Sequence, residues 1–287
     1  MKTIVMIILI LLVLMIGENL RELHYFQVTT YQIKSGKLKE LKKTRKIVFL
    51  SDLHNCSYGK DNEELLAAIM REHPNMILIG GDMLVRADGC SYEQTLKFLS
   101  KLPEICEVYC ANGNHEQKLK EYPEEYEQSY EDYKRRLVAA GIHLLENESA
   151  EVCWDDIRIK ITGLEIPLSG YERFRARRVE QEEVEERIGL SDSAYQILLA
   201  HHPAYMEAYK AWGADLILSG HYHGGVAQIP GIGGVIAPDF RLFPRYSGGL
   251  YEENDAAIVV SKGLGTHSVP VRLFNPAELI VLEFGES

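Results

Sequence analysis

From Ile47 onward, short apolar segments alternate with segments whose apolar residues recur at helical spacing. The first three apolar segments begin near Ile47, Met76 and Cys106, and an amphipathic segment follows each one. A run of roughly four to eight apolar residues bounded by turn signals fits a buried strand, whereas i, i+3, i+4 spacing indicates a helix. Alternation of the two predicts βαβ units, in which the strands form a largely parallel sheet. This pattern restricts the first half of the chain to an α/β fold.

The same patterns predict individual elements. We expect strands at 46–51, 76–79, 106–110, 195–200 and 215–218, and helices at 61–73, 92–102, 124–140, 173–188 and 204–211. Segments 150–154 and 157–161 flank Asp155-Asp156 and predict an antiparallel hairpin. Short apolar segments at 256–260, 269–271 and 279–282 have no helix between them, so we expect a second, mixed or antiparallel sheet there. Two facing sheets with helices outside form a four-layer α/β/β/α sandwich.

The first 17 residues differ in kind from the rest. Ile4–Ile16 is an apolar run of 13 residues between Lys2 and Gly17. It is shorter than the ~20 residues of an average spanning helix, and no small-x-small cleavage site follows it. We predict that residues 1–17 are an uncleaved single-pass anchor in the cell membrane, with a cleaved signal peptide as the alternative. The flanking charges favour opposite orientations, so the side of the membrane stays open.

Residues 18–44 are interpreted as a linker with an edge strand near 25–34, because apolar residues alternate at positions 26, 28, 31 and 33. The basic run at 34–46 has two interpretations, a solvated strand edge or a contact with anionic lipid headgroups. Residues 45–285 then form the α/β domain that carries the chemistry.

Composition excludes some functions. The chain has 287 residues and a net charge of −11, which argues against a nucleic-acid-binding surface spread over the whole molecule. Its five cysteines show neither zinc-like nor disulfide-like spacing. We therefore expect free thiols, which favours a reducing environment.

Five of the predicted strands are each followed at once by Asp, Asn or His. These strand ends read Ser51-Asp52-Leu53-His54-Asn55, Gly80-Gly81-Asp82, Asn112-Gly113-Asn114-His115-Glu116, His201-His202-Pro203 and Gly220-His221-Tyr222-His223. Open α/β sheets place their sites at the carboxyl ends of the strands. Carboxylate, amide and imidazole ligands without thiolate suit Mn, Fe or Zn ions. Their number exceeds the needs of one ion, so we predict two divalent ions ~3.5–4 Å apart that share a carboxylate.

The ordered set of blocks resembles the calcineurin-like metallophosphoesterases. The blocks are Asp52-Leu-His54, Gly81-Asp82, Gly113-Asn-His-Glu116, His201-His-Pro203 and Gly220-His-Tyr-His223. The tail Gly263–Arg272, with Pro276-Ala-Glu278 after it, is similar to a membrane-anchored bacterial subgroup. That subgroup includes cell-wall-associated phosphoesterases and UDP-2,3-diacylglucosamine hydrolases. The chain departs from it at Val226, where the subgroup usually has glutamine.

By matched position, the resemblance implies a role for each block. Ligands of the first metal would be Asp52, His54 and His223. Ligands of the second would be Asn114, His201 and His221, with Asp82 bridging the two ions. His115 would not be a ligand but the catalytic cation or general acid beside the leaving group.

Other polar residues near these blocks have weaker assignments. His202 is interpreted as an outer partner of the site, because the family's ligand matches His201. Possible substrate contacts are Asn55, Tyr222 and His267. The arginines at 173, 175, 177 and 178 are interpreted as a solvated helix face, with binding of a phosphate-bearing substrate as the alternative.

The resemblance implies a metal-dependent phosphoric-ester hydrolase in which two ions lower the pKa of a bridging water and hydroxide attacks phosphorus. Phosphodiesters, phosphomonoesters or a lipid-linked pyrophosphate at the membrane are the expected substrates, and manganese is the metal favoured for assays. A catalytically silent scaffold of the same fold is one alternative, disfavoured because every ligand position is filled. A nuclease or nucleotide phosphodiesterase is another, and the acidic charge argues against a nucleic-acid partner.

Overall fold

The computed structural model describes residues 1–85, 89–172, 177–225, 227–229, 233–237, 241–266 and 270–285. Its α-helices are α1 (Lys2–Leu23), α2 (Glu63–Glu72), α3 (Glu93–Leu99), α4 (Asn114–Glu121), α5 (Tyr130–Ala139), α6 (Gln181–Ile188) and α7 (Met206–Trp212). Its strands are β1 (Phe26–Ile33), β2 (Arg45–Leu50), β3 (Met76–Ile79), β4 (Glu107–Ala111), β5 (Ile142–Leu145), β6 (Ser149–Trp154), β7 (Ile157–Leu164), β8 (Tyr195–Ala200), β9 (Leu216–Ser219), β10 (Gln228–Ile229), β11 (Gly233–Gly234), β12 (Gly249–Glu253), β13 (Ala256–Val260) and β14 (Ala277–Phe284).

Two six-stranded mixed sheets form the body of the protein. The first has the order β1-β14-β2-β3-β4-β5 and the second β12-β13-β9-β8-β7-β6. Strands β2 to β5 pair in parallel, as do β7, β8, β9 and β13. The predicted hairpin is β6 paired antiparallel with β7. The expected α/β class with two mixed sheets is confirmed.

Alternate residues along the central strands enter different apolar cores. In β2, Ile47 and Phe49 lie in the core between the two sheets, whereas Val48 and Leu50 pack in a core shared with α2, α3 and α5. The outer face of the second sheet packs in the same way on α6 and α7. Strands covered on both faces must be apolar on both faces, as these sequences are. The expected four layers follow from these three cores.

The edge strand predicted near 25–34 is β1, which pairs in parallel with β14. Lysines of the basic run pair with carboxylates of the domain itself: Lys37 with Asp215 at 2.7 Å and Lys42 with Asp156 at 3.1 Å. The solvated edge is thus the interpretation of this run that these contacts favour.

Two predicted helices begin later than expected. The helix expected at 124–140 is α5, which starts after Ser129, whose side chain accepts a hydrogen bond from the Asp132 N–H. That side-chain cap marks the start of the helix. The helix expected at 173–188 is α6, which begins only at Gln181. Residues 177–180 are not helical and 173–176 lie outside the described residues. Val184 is the one buried residue of this helix, and the described arginines before it, Arg177 and Arg178, add no apolar residue that would extend its buried face.

The structure differs from the sequence analysis at three other places, one of which lies partly outside the described residues. Helix α4 (Asn114–Glu121) was not expected, because its sequence is almost wholly polar. The strand expected at 279–282 belongs to the first sheet as β14, since local periodicity marks a strand without identifying its partner. The strand expected at 269–271 is not seen at Val271, and Val269 lies outside the described residues.

The pairing of β14 determines where α1 meets the domain. Because β14 runs antiparallel to β2, its first residue, Ala277, lies toward the carboxyl end of β2. Phe26, two residues after the residue that caps α1, pairs with Ala277. The end of α1 therefore lies at the sheet edge where β2 and β3 deliver their polar residues.

Helix α1 is long and apolar enough to cross a membrane, with 22 residues and a mean hydropathy of 2.5 in its most apolar part. No residue of that part is buried against the rest of the protein. All five cysteines are free thiols, as expected.

Candidate metal centre

The polar residues that follow β2 and β3 of the first sheet meet those that follow β8 and β9 of the second. Their ligand atoms form three overlapping groups, within each of which all atoms lie within 4.8 Å of one another. The groups are Asp52-His54-His223, Asp82-His201-His221 and His54-Asp82-His115. The predicted ligands from distant parts of the sequence are therefore brought together.

The first ligand group consists of Asp52, His54 and His223. The Nε2 atom of His223 lies 3.4 Å from Asp52 Oδ1 and 3.1 Å from His54 Nε2. His54 Nε2 lies 3.9 Å from the same oxygen of Asp52. Three potential ligand atoms thus converge on one small volume.

The second ligand group consists of Asp82, Asn114, His201 and His221. His201 Nε2 lies 3.2 Å from Asp82 Oδ2, and the rings of His201 and His221 are 5.4 Å apart. Asn114, the first residue of α4, is buried, and its Oδ1 atom has no hydrogen-bond partner. A buried amide oxygen without a donor fits a cation.

Backbone contacts determine which ring nitrogen faces the centre. His201 Nδ1 lies 2.7 Å from the carbonyl oxygen of Gly80, and His223 Nδ1 lies 3.0 Å from that of Gly265. A carbonyl only accepts, so each Nδ1 carries the proton and each Nε2 can direct a lone pair at a carboxylate. This second contact is typical of metal-ligating histidines. Lone pairs facing carboxylates need a cation or a proton between them, so these residues fit divalent metal ions.

Burial and the carboxylates control protonation here. Burial acts to lower the pKa of His201, but the carboxylates of Asp82 and Asp52 outweigh it and raise the pKa to about 10. Burial lowers the pKa of His223 to about 3 and that of His221 well below its usual value. These two rings are neutral, as a metal ligand must be. His201 holds a positive charge at the position where a metal ion would take the place of the proton.

Most of the predicted ligands occupy a backbone conformation that non-glycine residues rarely adopt. Positive φ angles occur at Asp52 (54°), His54 (48°), Asp82 (53°), His221 (67°) and His223 (50°). Such residues cost of order 1–3 kcal/mol each and cluster at functional sites. Here the turn after β2 directs Asp52 and His54, two positions apart, into the same volume.

Two glycines leave room for the carboxylates. A Cβ atom on Gly220 would lie 2.1 Å from Asp52 Oδ2, and one on Gly113 would lie 2.2 Å from Asp82 Oδ1. The Asp52 carboxylate also accepts from the His221 N–H at 3.0 Å. The backbone of each turn therefore packs directly against a ligand.

Glu116 supports the second group and was missed as a functional residue by sequence reasoning. Its carboxylate accepts the backbone N–H groups of Asp82, Met83 and Gly113 at 2.8–2.9 Å. Burial, and then the charge of Asp82, raise the pKa of Glu116 to about 7. The signal was present, since this glutamate ends the Gly113-Asn-His-Glu116 block.

Arg272 and Asn275 support the first group and were also missed. The fully buried guanidinium of Arg272 donates to the carbonyl oxygens of Lys262, Gly263, Gly265 and Asn275. The Asn275 amide donates to the carbonyl oxygens of His223, at 2.6 Å, and Gly225, at 2.7 Å. Arg272 ends the tail that carries the family resemblance, whereas nothing local in the sequence marks Asn275.

His115 lies between the two groups. Its backbone N–H donates to Asp82 Oδ1 at 2.8 Å, and its Nε2 lies 4.0 Å from Asp82 Oδ2. Its ring meets that of His54 edge-on at 4.9 Å. Distance alone would allow a ligand role as well as the predicted catalytic one.

The weaker site assignments have different surroundings. His202 is buried, its Nδ1 accepts from the Ala204 N–H, and its ring lies 4.4 Å from that of His221. Burial lowers the pKa of His202 well below its usual value, so the ring is neutral. Tyr222 is buried beside His202, with ring centroids 5.5 Å apart. A buried ring of this kind offers little surface to a substrate.

The remaining assignments are only partly described. Asn55 is half-buried, and its Oδ1 accepts from the Thr95 hydroxyl at 2.8 Å. Arg177 pairs with Glu183 at 3.2 Å. Residues outside the described part of the chain are His267, Val226, Arg173 and Arg175.

Comparison with known proteins gives one family. Residues 45–225 match the family model described as calcineurin-like phosphoesterase. That span includes every predicted metal ligand and His115.

Three relatives illustrate the range of similarity. Metallophosphoesterase YkuE of Bacillus subtilis is 28% identical over 91% of this chain and 86% of its own length. Phosphodiesterase YaeI of Escherichia coli is 25% identical over 77% of this chain and 75% of its own length. A transmembrane protein with a metallophosphoesterase domain from Bos taurus is 26% identical over 89% of this chain and 56% of its own length.

Proposed function

The chain belongs to the calcineurin-like phosphoesterase family and is a hydrolase, and on that premise we propose that it cleaves phosphoric esters with two divalent ions. The first ligand group would hold one ion and the second ligand group the other. Asp82 would bridge them.

The position of one oxygen atom carries this proposal. Asp82 Oδ2 lies 3.8 Å from His54 Nε2 and 3.2 Å from His201 Nε2, between the two groups. Its companion Oδ1 is occupied by the His115 N–H. Asp52 Oδ1 also lies near both groups, but it accepts the His221 N–H, and Asp52 Oδ2 accepts from the Ser51 hydroxyl. The oxygen best placed to serve two ions is therefore Asp82 Oδ2.

When bound, two divalent ions supply hydroxide near neutral pH and offset the charge of the phosphorus transition state. The chain's own residues hold the side chains that would bind these ions. The carbonyl oxygens of Gly80 and Gly265 hold the rings of His201 and His223, and Glu116 holds the turn that carries Asp82.

His115 is the proposed catalytic residue outside the ligand set. Its ring lies beside both Asp82 and His54, so it can donate a proton or a hydrogen bond to an oxygen leaving from a phosphate held at the centre. General acids of this kind contribute typically ~10²–10⁴-fold to the rate.

The proposed substrate is a phosphodiester or another phosphoric ester at a membrane surface, a lipid-linked pyrophosphate included. Helix α1, whose length and composition suit a membrane span, supports the location, and the Escherichia coli relative named a phosphodiesterase supports the ester class. Manganese is the proposed metal for assays, since carboxylate, amide and imidazole ligands suit it.

The test uses the full chain in detergent micelles, loaded with Mn²⁺ and offered phosphomonoesters, phosphodiesters and lipid-linked pyrophosphates. We expect turnover of at least one class and about two equivalents of metal per chain by elemental analysis. Two bound equivalents without turnover of any class would favour the silent scaffold. A single equivalent with turnover would refute the two-ion assignment.

A further inference from the structure

Large apolar side chains are exposed at few described positions outside α1. These are Tyr25, Val28, Met70, Tyr122, Val138, Leu190, Ile229, Leu242, Phe243 and Phe274. Of the last four, Ile229 ends the short strand β10 and the other three lie in loops. Those three are more than half exposed: Leu242 by 66%, Phe243 by 54% and Phe274 by 60%. We call Ile229, Leu242, Phe243 and Phe274 the interfacial patch.

The loops of the interfacial patch form one continuous surface. The Gln228 N–H donates to the carbonyl oxygen of Leu273, and the Val235 N–H donates to that of Ala227. The Phe243 N–H in turn donates to the carbonyl oxygen of Val235. These three bonds join four neighbouring backbone segments, and three steps of strand spacing span about 15 Å. The patch is therefore one local feature rather than four scattered side chains.

This surface is attached to the end of α1. Asn19 Oδ1 accepts from the Arg272 N–H at 2.8 Å, and the buried Glu22 accepts from the Asn275 N–H at 3.0 Å. Phe274 lies between these two attachment points. Tyr25 follows the helix and lies 5.8 Å from the Arg21 guanidinium. Tyrosine and arginine are both residue types that anchor membrane helices at the membrane–water interface.

The same surface borders the metal centre. Asn275, next to Phe274, holds the carbonyl oxygens of His223 and Gly225. The end of α1 and the ligand-bearing turns also share one edge of the first sheet, as the pairing of Phe26 with Ala277 requires.

We propose that the interfacial patch inserts into the headgroup and upper acyl region of the bilayer that α1 spans, so that the metal centre lies beside the membrane surface. For exposed apolar side chains near the end of a membrane helix, the lipid bilayer is the nearest apolar environment. Interfacial segments of this kind bury their apolar side chains ~5–10 Å into the boundary region. The occupant is thus the lipid of the anchoring membrane. This inference rests on the anchoring part of the proposed function.

The test places single tryptophans in the full chain and reconstitutes it in two sets of vesicles. In one set the phospholipids carry bromine near the carbonyl end of the acyl chain, and in the other they carry it near the methyl end, at the bilayer centre. The variants are Phe274→Trp and Phe243→Trp in the patch, Val13→Trp in α1, and Val138→Trp as a matched exposed control on α5. The native Trp154 and Trp212 are buried and provide the background. Bromine quenches tryptophan only near contact, so the measurement reports insertion directly.

We expect both patch variants to lose roughly half of the added emission, as side chains at the depth of the boundary region should. These losses are expected with bromine near the carbonyl end. Val13→Trp, at the middle of α1, should be quenched by bromine at the bilayer centre, and Val138→Trp should be quenched in neither set of vesicles. Quenching at Val13 with none at positions 243 and 274 would show that the interfacial patch does not insert, although α1 spans the membrane. Absence of quenching at Val13 would show that α1 is not a membrane anchor, and insertion of the patch would then be refuted as well. The proposed hydrolysis does not depend on this result.

Discussion

The two ligand groups are held in place by different parts of the chain. In the second group, His201 follows β8 directly, its side chain is fully buried, and its Nδ1 bonds to Gly80 at the end of β3. In the first group, His223 lies in a loop beyond β9, its side chain is 16% exposed, and its Nδ1 bonds to Gly265. The backbone contact that orients His201 therefore comes from a central strand, and the one that orients His223 comes from a loop.

The loop that supports the first group reaches the end of α1. Arg272 holds the carbonyl oxygen of Gly265, Asn275 holds that of His223, and both residues bond through their backbone N–H groups to α1. The first group should therefore be adjustable from this loop while the second stays unchanged. The following substitutions test that difference.

The largest effect is expected for Asp82→Asn, which would remove the difference by disabling both groups. Losing the shared carboxylate should lower the affinity for both ions by more than the ~10–100-fold that is typical of an outer partner. Turnover should fall because fewer chains hold both ions. Elemental analysis and steady-state kinetics measure this. Asp61→Asn is the matched control, since Asp61 pairs with Lys97 at the surface, away from the ligand groups. Two retained ions in Asp82→Asn would show that the bridging assignment is wrong.

His115→Ala tests a residue that belongs to neither group in the proposal. Turnover should fall by ~10²–10⁴-fold, as expected for loss of a general acid, with both ions retained. His143→Ala, at an exposed histidine stacked on Tyr109, should change neither quantity. If His115→Ala instead loses one equivalent of metal, His115 is a ligand and the third overlapping group is a real binding site.

Asn275→Ala addresses the difference between the groups most directly. Two backbone carbonyls near His223 would lose their donor, and a buried polar group without a partner costs ~1–3 kcal/mol. We expect Mn²⁺ affinity in the first group to fall by ~10–100-fold, as for other outer partners, and affinity in the second to stay unchanged.

A Mn²⁺ titration that resolves two binding steps measures the effect of Asn275→Ala. Asn75→Ala is the control, because Asn75 bonds to the Lys46 N–H at the opposite end of β2. Equal weakening of both steps would mean that the loop supports the whole centre rather than one half of it.

Ser51→Ala should give the smallest effect. The Ser51 hydroxyl donates to Asp52 Oδ2 at 2.6 Å, and one such bond is worth about 0.5–1.5 kcal/mol net, or roughly 2–10-fold in affinity. Only the first binding step should weaken. Ser219→Ala is matched to it, because that buried hydroxyl bonds to the Ala200 carbonyl rather than to a ligand. A larger change in the second step would contradict the division into two groups.

Much of this centre could be predicted from local sequence. Residues such as Asp52 and His201 follow short apolar strands directly, and parallel strands bring their carboxyl ends to the same edge of their own sheet. That Asp52 of the first sheet lies 3.8 Å from His201 of the second depends on how the two sheets pack. The supporting residues could not be predicted in the same way. Asn275 acts through a bond to the backbone of His223, 52 positions away, and nothing in its own neighbourhood records that contact.

Residue type and spacing were sufficient for the α/β class, the four layers and the placing of polar residues at the strand ends, because strand periodicity and side-chain chemistry are local properties. Three features required the tertiary structure: β14 lies in the first sheet, Arg272 and Asn275 hold the His223 loop, and α1 ends beside the metal centre. Each depends on which distant segments pair. Such pairing follows from the packing of the whole chain, which local periodicity does not encode.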